Sequence, residues 1–180
     1  MLVAILTRKS IESKIKNLII IYKIRMILKY LKFGISLGFI SFMVGLIMIA
    51  MIKKTNFYNT KISNINFIKN ENFNKIIGVG VIKWIVKNTF FKFFNQTIKI
   101  DRRINLRDLK FLRDEMTKSE IAHLFAFLFP FIFIIIKLCN QEYLFAFVIL
   151  AANILMNLYP SLLQQQNKRR IDKIITRFKD

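Results

Sequence analysis

The sequence predicts an all-α integral membrane protein. About three transmembrane helices are expected, the last two forming a C-terminal hairpin, together with basic amphipathic helices at the interface. Three observations carry this expectation. Of 180 residues, 54% are hydrophobic and 19 are Phe, more apolar surface than so small a core can hide. Thirty Lys+Arg against ten Asp+Glu give a formal charge of +20, which suits basic flanks on anionic lipid. Charge-free runs of membrane-spanning length punctuate the chain. The hydrophobicity excludes an extended disordered chain, and the single Cys139 excludes a disulfide scaffold. Nucleic-acid binding would account for the charge but not for the apolar runs, so no nucleic-acid partner is expected. No paired-cysteine metal pattern or Gly-rich phosphate loop occurs, and no cofactor is expected.

The elements follow in chain order. Residues 1–32 carry eight basic residues among Ile and Leu, and predict a basic amphipathic helix on the membrane surface. Phe33–Ile52 has no ionisable residue, and twenty helical residues cover about 30 Å, one hydrocarbon core. Residues 53–120 form an interfacial and cytoplasmic region. Within it, the Asn-rich stretch Asn56–Asn74 reads as loop. Ile76–Phe94 reads as an interfacial helix with Lys75, Lys83 and Lys87 on one arc, ending near Asn88 before Lys92. Asn105–Glu120 places Leu109, Leu112 and Met116 on one face of a short helix. Residues 121–163 make the hairpin: one span holds Pro130, expected to kink it, and Cys139–Glu142 turns into the second. Residues 164–180 are a basic cytoplasmic tail.

The charge distribution pulls in two directions. Fifteen Lys+Arg in residues 53–120 and six in the tail place both on the cytoplasmic face. A crossing at residues 33–52 then exports the basic N-terminal segment. A re-entrant Gly34/Gly38/Gly45 segment, a basic N-terminus tolerated outside, or a start at Met26 would each resolve the conflict, and the residues leave all three open.

Polar residues in the hairpin locate the candidate site. Asn153, Asn157 and Gln164 share a stripe, as do Glu120 and His123 on the preceding span. Folding the hairpin about Asn140–Gln141 brings position 123 level with 158 and 120 with 161. Glu120, His123, Asn157 and Gln164 are therefore expected to cluster at the cytoplasmic end of the pair. A His beside a carboxylate makes a general base, and amides hold a hydroxyl or an oxyanion. Acyl transfer from a lipid-like donor to an alcohol is the reaction such a cluster suits. The structural reading stands beside it: Thr117–Glu120 is also a capping-box pattern, and Asn153 and Asn157 also serve as interhelical hydrogen-bond glue. On that reading the chain is a non-catalytic subunit or scaffold with membrane protein partners.

Asp114–His123 (DEMTKSEIAH) resembles the E-T-x-x-A-E-x-x-H signature of the glycosyl-4,4'-diaponeurosporenoate acyltransferase family. Asn157–Arg170 (NLYPSLLQQQNKRR) resembles that family's N-x-Y-P-x-x-L-Q-R-Y-N-R-x-R segment, with Gln165-Gln166 standing where the family has Arg-Tyr. Lys83-Trp84 is similar to its Arg/Lys-Lys-Trp element. The resemblance covers roughly residues 71–173 and marks a divergent member. It implies a multi-pass protein of the bacterial inner membrane that esterifies a sugar hydroxyl of a glycosylated carotenoid or related lipid. Acyl-CoA or another acyl donor would be the second substrate. It carries Glu115, Glu120, His123, Asn157, Tyr159, Pro160, Gln164, Asn167 and Arg170 over as matching positions. We expect His123 and Glu120 to be catalytic, and Glu115, Asn157, Tyr159, Gln164, Asn167 and Arg170 to bind substrate.

Overall fold

The computed structural model describes residues 2–63 and 105–178, together with positions 80, 84 and 88, and no side chain before Ile11. Among the described residues there is helix and no strand. The first helix, α1 (Leu2–Ile52), is continuous, so residues 1–32 and 33–52, which the sequence separates by composition, lie on one rod. After it come a π-helical turn at Tyr58–Ile62, α2 (Leu106–Leu128), α3 (Phe131–Cys139) and α4 (Tyr143–Asn153). A second π-helical turn, Ile154–Leu158, leads into α5 (Tyr159–Arg177). Three helical stretches are long and apolar enough to cross a membrane: Ile11–Ile52, Leu106–Cys139 and Tyr143–Arg177.

Each break has a local cause. Asn105 caps α2 by accepting from the Asp108 amide at 2.9 Å, a side-chain oxygen taking one of the orphan donors of the first turn. Pro130 has no amide to donate, and α2 gives way to α3 across Phe129-Pro130. The reversal at Asn140–Glu142 uses Gln141 at φ 60°. Glu142 then closes it through Lys137, whose Nζ lies 3.0 Å from the carboxylate and 4.6 Å above the Phe145 ring.

The α1 rod runs the full length of the hairpin. At the loop end Tyr30 stacks on Phe145 with ring centroids 4.0 Å apart. At the tail end Ile49 packs with Ile121 and Ala122. Lipid tails are as apolar as leucine, so close packing and internal hydrogen bonds, rather than apolar burial, hold such helices together. The small residues Gly34, Gly38, Ser41 and Gly45 supply the approach. A Cβ on Gly45 would run into the Ala122 carbonyl oxygen, and one on Gly34 would sit 3.2 Å from the Ala152 Cβ. Large side chains on the outer surface, such as Phe39, Ile40, Ile47, Ile132 and Phe147, are exposed, as lipid-facing residues are.

Beyond the hydrocarbon length, Leu109 and Met116 of α2 close on Ile171 of α5 in a separate apolar cluster. The expected face of Asn105–Glu120 is therefore the one that packs. The reading of Asn56–Asn74 as loop is corrected at its start. Residues 56–62 are helical because Thr55 Oγ1 accepts from the Tyr58 amide at 3.2 Å and because Tyr58 and Ile62 bury against Ile121. Burial, reinforced by the Asp114 charge, lifts the Tyr58 phenol above its ordinary pKa. Residues 64–74 lie outside the described residues, as does most of Ile76–Phe94, including Lys83, Lys87 and Lys92. Trp84 and Asn88 are helical, and Trp84 is exposed.

Candidate active site

Three polar groupings sit along the inner face of the hairpin. The deepest belongs to the last span. Asn153 donates to the Phe127 carbonyl at 2.8 Å, and Asn157 donates to Asn153 Oδ1 at 2.8 Å and to Ser41 Oγ at 2.9 Å. Ser41 in turn donates to the Gly38 carbonyl. The chain of bonds joins α1, α2 and α4 in the middle of the bundle. Asn157 is thus a fully buried interhelical link, in keeping with a role as hydrogen-bond glue between helices.

The second grouping lies nearer the tail. Glu120 is fully buried, and both its oxygens are taken: Gln165 Nε2 donates to one at 2.9 Å and Lys168 Nζ to the other at 2.5 Å. Lys168 is itself only 1% exposed. Glu120 therefore serves these two partners on α5, not the imidazole three residues on. The expected Glu120–His123 couple is not what the structure brings together. Lys168, on the basic tail, is thus turned inward rather than toward solvent.

The reason is a register shift. In an uninterrupted α-helix the residue on the Asn153 stripe one turn past Pro160 would be Gln164. The π-helical turn at Ile154–Leu158 absorbs about one extra residue per turn, which moves that place to Gln165. Gln165 accordingly faces Glu120, and Gln164 turns aside.

Gln164 turns into the third grouping, a cleft of about 210 Å³ between α1 and α2. Phe42, Leu46, Ile49, Met116 and Ala122 make its apolar wall, with Glu115, Lys118, Ser119 and Gln164 at its polar side. The Glu115 carboxylate is held by Lys118 at 2.8 Å. Gln164 Oε1 is buried without a hydrogen-bond partner. His123 stacks on the Phe42 wall with ring centroids 5.0 Å apart, and its Nδ1 is also buried and unpartnered. Gln164 lines the cleft and His123 adjoins it through Phe42, so a polar guest there would satisfy atoms of a kind that are usually partnered.

The remaining expected residues scatter. Tyr159 is half-buried where α5 begins, Asn167 is buried, and Arg170 is exposed on the tail side. Sequence reasoning missed Ser41, Phe42, Ser119 and Gln165. Ser41 and Phe42 belong to the first span, and only the packing of α1 against the hairpin brings them here. Ser119 was legible, one turn before His123 on the same helix. No group of three or more His, Cys, Asp or Glu among the described residues is placed to hold a metal.

Comparison with known families finds one whose model matches residues 53–177, described as glycosyl-4,4'-diaponeurosporenoate acyltransferase. Comparison with curated proteins and with solved structures finds no match. The matched stretch holds α2 to α5 and hence Glu115, Ser119, His123 and Gln164, while Phe42, Leu46 and Ile49 come from the helix before it.

Proposed function

The chain belongs to the glycosyl-4,4'-diaponeurosporenoate acyltransferase family, and on that premise we propose that it is an O-acyltransferase of the bacterial inner membrane. It transfers a fatty acyl group to a hydroxyl of a glycosylated lipid or carotenoid. Beyond the family match, one observation carries the reading: the cleft beside which His123 Nδ1 and Gln164 Oε1 are buried and unpartnered.

The chemistry follows from those atoms. The acceptor hydroxyl enters between Ser119 and Gln164, and Gln164 Oε1 accepts from the sugar. His123 takes the hydroxyl proton as its oxygen attacks the acyl carbonyl, forming the new C–O bond. The tetrahedral intermediate collapses by breaking the bond to the donor's leaving group, which recovers the proton from the imidazolium. The hydrocarbon part of a substrate lies along Phe42, Leu46 and Ile49, in line with the surrounding lipid. Arg170, exposed at the tail, attracts the anionic end of a CoA-type or phosphorylated donor.

Lipids and pigments extracted from cells with and without the chain test the function. An ester species absent from the second extract supports it, and its mass gives donor and acceptor together. The fully partnered Glu120 carboxylate and the Asn153–Asn157–Ser41 bonds between helices favour a second reading, a non-catalytic membrane scaffold, and that reading predicts an unchanged ester complement.

A further inference from the structure

At the opposite end of the molecule from the cleft, α1 continues past the hairpin loop. Arg25, Lys29 and Lys32 are all exposed there and, with Leu28, line an open groove of about 310 Å³. At 100° per residue the three cations fall on a stripe about 60° wide and about 10 Å long. Tyr30 lies roughly 140° around the helix from Arg25, and it is Tyr30 that stacks on Phe145. The stripe therefore faces away from the bundle, toward lipid and water.

Its depth is fixed by the same contact. Tyr30 is level with Phe145, three residues past the hairpin turn at Glu142, and the charge-free run begins at Phe33. The cations thus stand where the hydrocarbon ends and the headgroups begin. Among the described residues no carboxylate competes for them. Glu142, at this end of the bundle, is already held by Lys137 at 3.0 Å. Glu12 is thirteen residues further along the rod, about 20 Å away. Among the described residues the three make no ion pair.

We propose that Arg25, Lys29 and Lys32 form a binding site for the phosphate of an anionic phospholipid, in the leaflet at the hairpin-loop end. The guanidinium and two ammonium groups converge on the headgroup phosphate, and Leu28 lies against the start of an acyl chain. The site is independent of the proposed acyl transfer, which lies across the membrane from it.

Lipid retention by the full-length protein in native mass spectrometry tests the site. Phosphatidylglycerol, phosphatidylcholine and inorganic phosphate serve as probes. Two triple variants with equal loss of charge are compared: Arg25→Gln/Lys29→Gln/Lys32→Gln, and Lys53→Gln/Lys54→Gln/Lys61→Gln at the other end. The wild type and the second variant should retain phosphatidylglycerol over phosphatidylcholine, and the first should retain about a hundredfold less, given the attraction of three cations to an anionic surface. Equal losses in both variants would mean that only bulk charge matters, and no loss in the first would mean there is no site. Displacement of the lipid by millimolar inorganic phosphate would identify a free-anion site instead. Each of these three results overturns the proposal.

Discussion

The Glu120 cluster, between α2 and α5, and the cleft, between α1 and α2 beside Gln164 of α5, are neighbours, yet they treat polar atoms in opposite ways. Around Glu120 both carboxylate oxygens have partners, and Gln165 and Lys168 are buried with them. Around the cleft, Gln164 Oε1 and His123 Nδ1 are buried with none, although Gln164 is the immediate neighbour of Gln165. A satisfied network rigidifies, whereas an unsatisfied one awaits a guest. The first therefore reads as a latch between α2 and α5, and the second as the place the proposed acyl transfer would use. Adjacent residues of one sequence motif divide between the two jobs.

The sharpest way to break this distinction is to open the latch. Lys168→Ala leaves the Glu120 carboxylate buried without its cation, a change that typically costs about 3–5 kcal/mol. Unfolding of the purified protein in detergent should show that loss. Glu120→Gln/Lys168→Met, which removes both charges, should recover most of it. A double variant as unstable as Lys168→Ala would deny the latch its ionic character.

Gly45→Ala comes next, because its Cβ would meet the Ala122 backbone rather than a flexible side chain. Separating α1 from α2 to admit the methyl should cost about 1–3 kcal/mol and widen the cleft. Thermal unfolding measures the first effect and acceptor KM the second. Asn157→Ala removes the bonds to Ser41 and Asn153 and should cost about 0.5–2 kcal/mol in the same unfolding measurement, in keeping with hydrogen bonds inside membranes. Arg113→Ala breaks the pair with Asp172 at 2.9 Å, whose side chains are 27% and 43% exposed. Its effect should be about 0–1 kcal/mol and should shrink with added salt.

Much of this was legible in the sequence. Charge-free runs gave the helices that cross, Pro130 gave the break in the hairpin's first arm, and Leu109 with Met116 gave the face that meets α5. The polar end of the hairpin was visible from Glu120, His123, Asn157 and Gln164 alone. Their division between latch and cleft was not. A hydrophobic period of 3.6 carries no sign of a single-residue π insertion, so Gln164 was assigned the place that Gln165 holds. Lys168 looked like one more tail cation, because a long-range partner is invisible to local pattern. The Phe42 wall depends on where α1 docks, and the Gly34/Gly38/Ser41/Gly45 face that sets the docking reads from sequence only as small residues. The continuity of α1 also disfavours a re-entrant loop at Gly34–Gly45.

His123→Gln probes the account most directly, since it keeps a hydrogen-bonding side chain of similar reach and removes the base. The variant should unfold at the wild-type midpoint while its rate of acyl transfer to a hydroxyl acceptor falls by about 10²–10⁴-fold. A folded variant that transfers at the full rate would contradict the assignment of the cleft as the reacting centre.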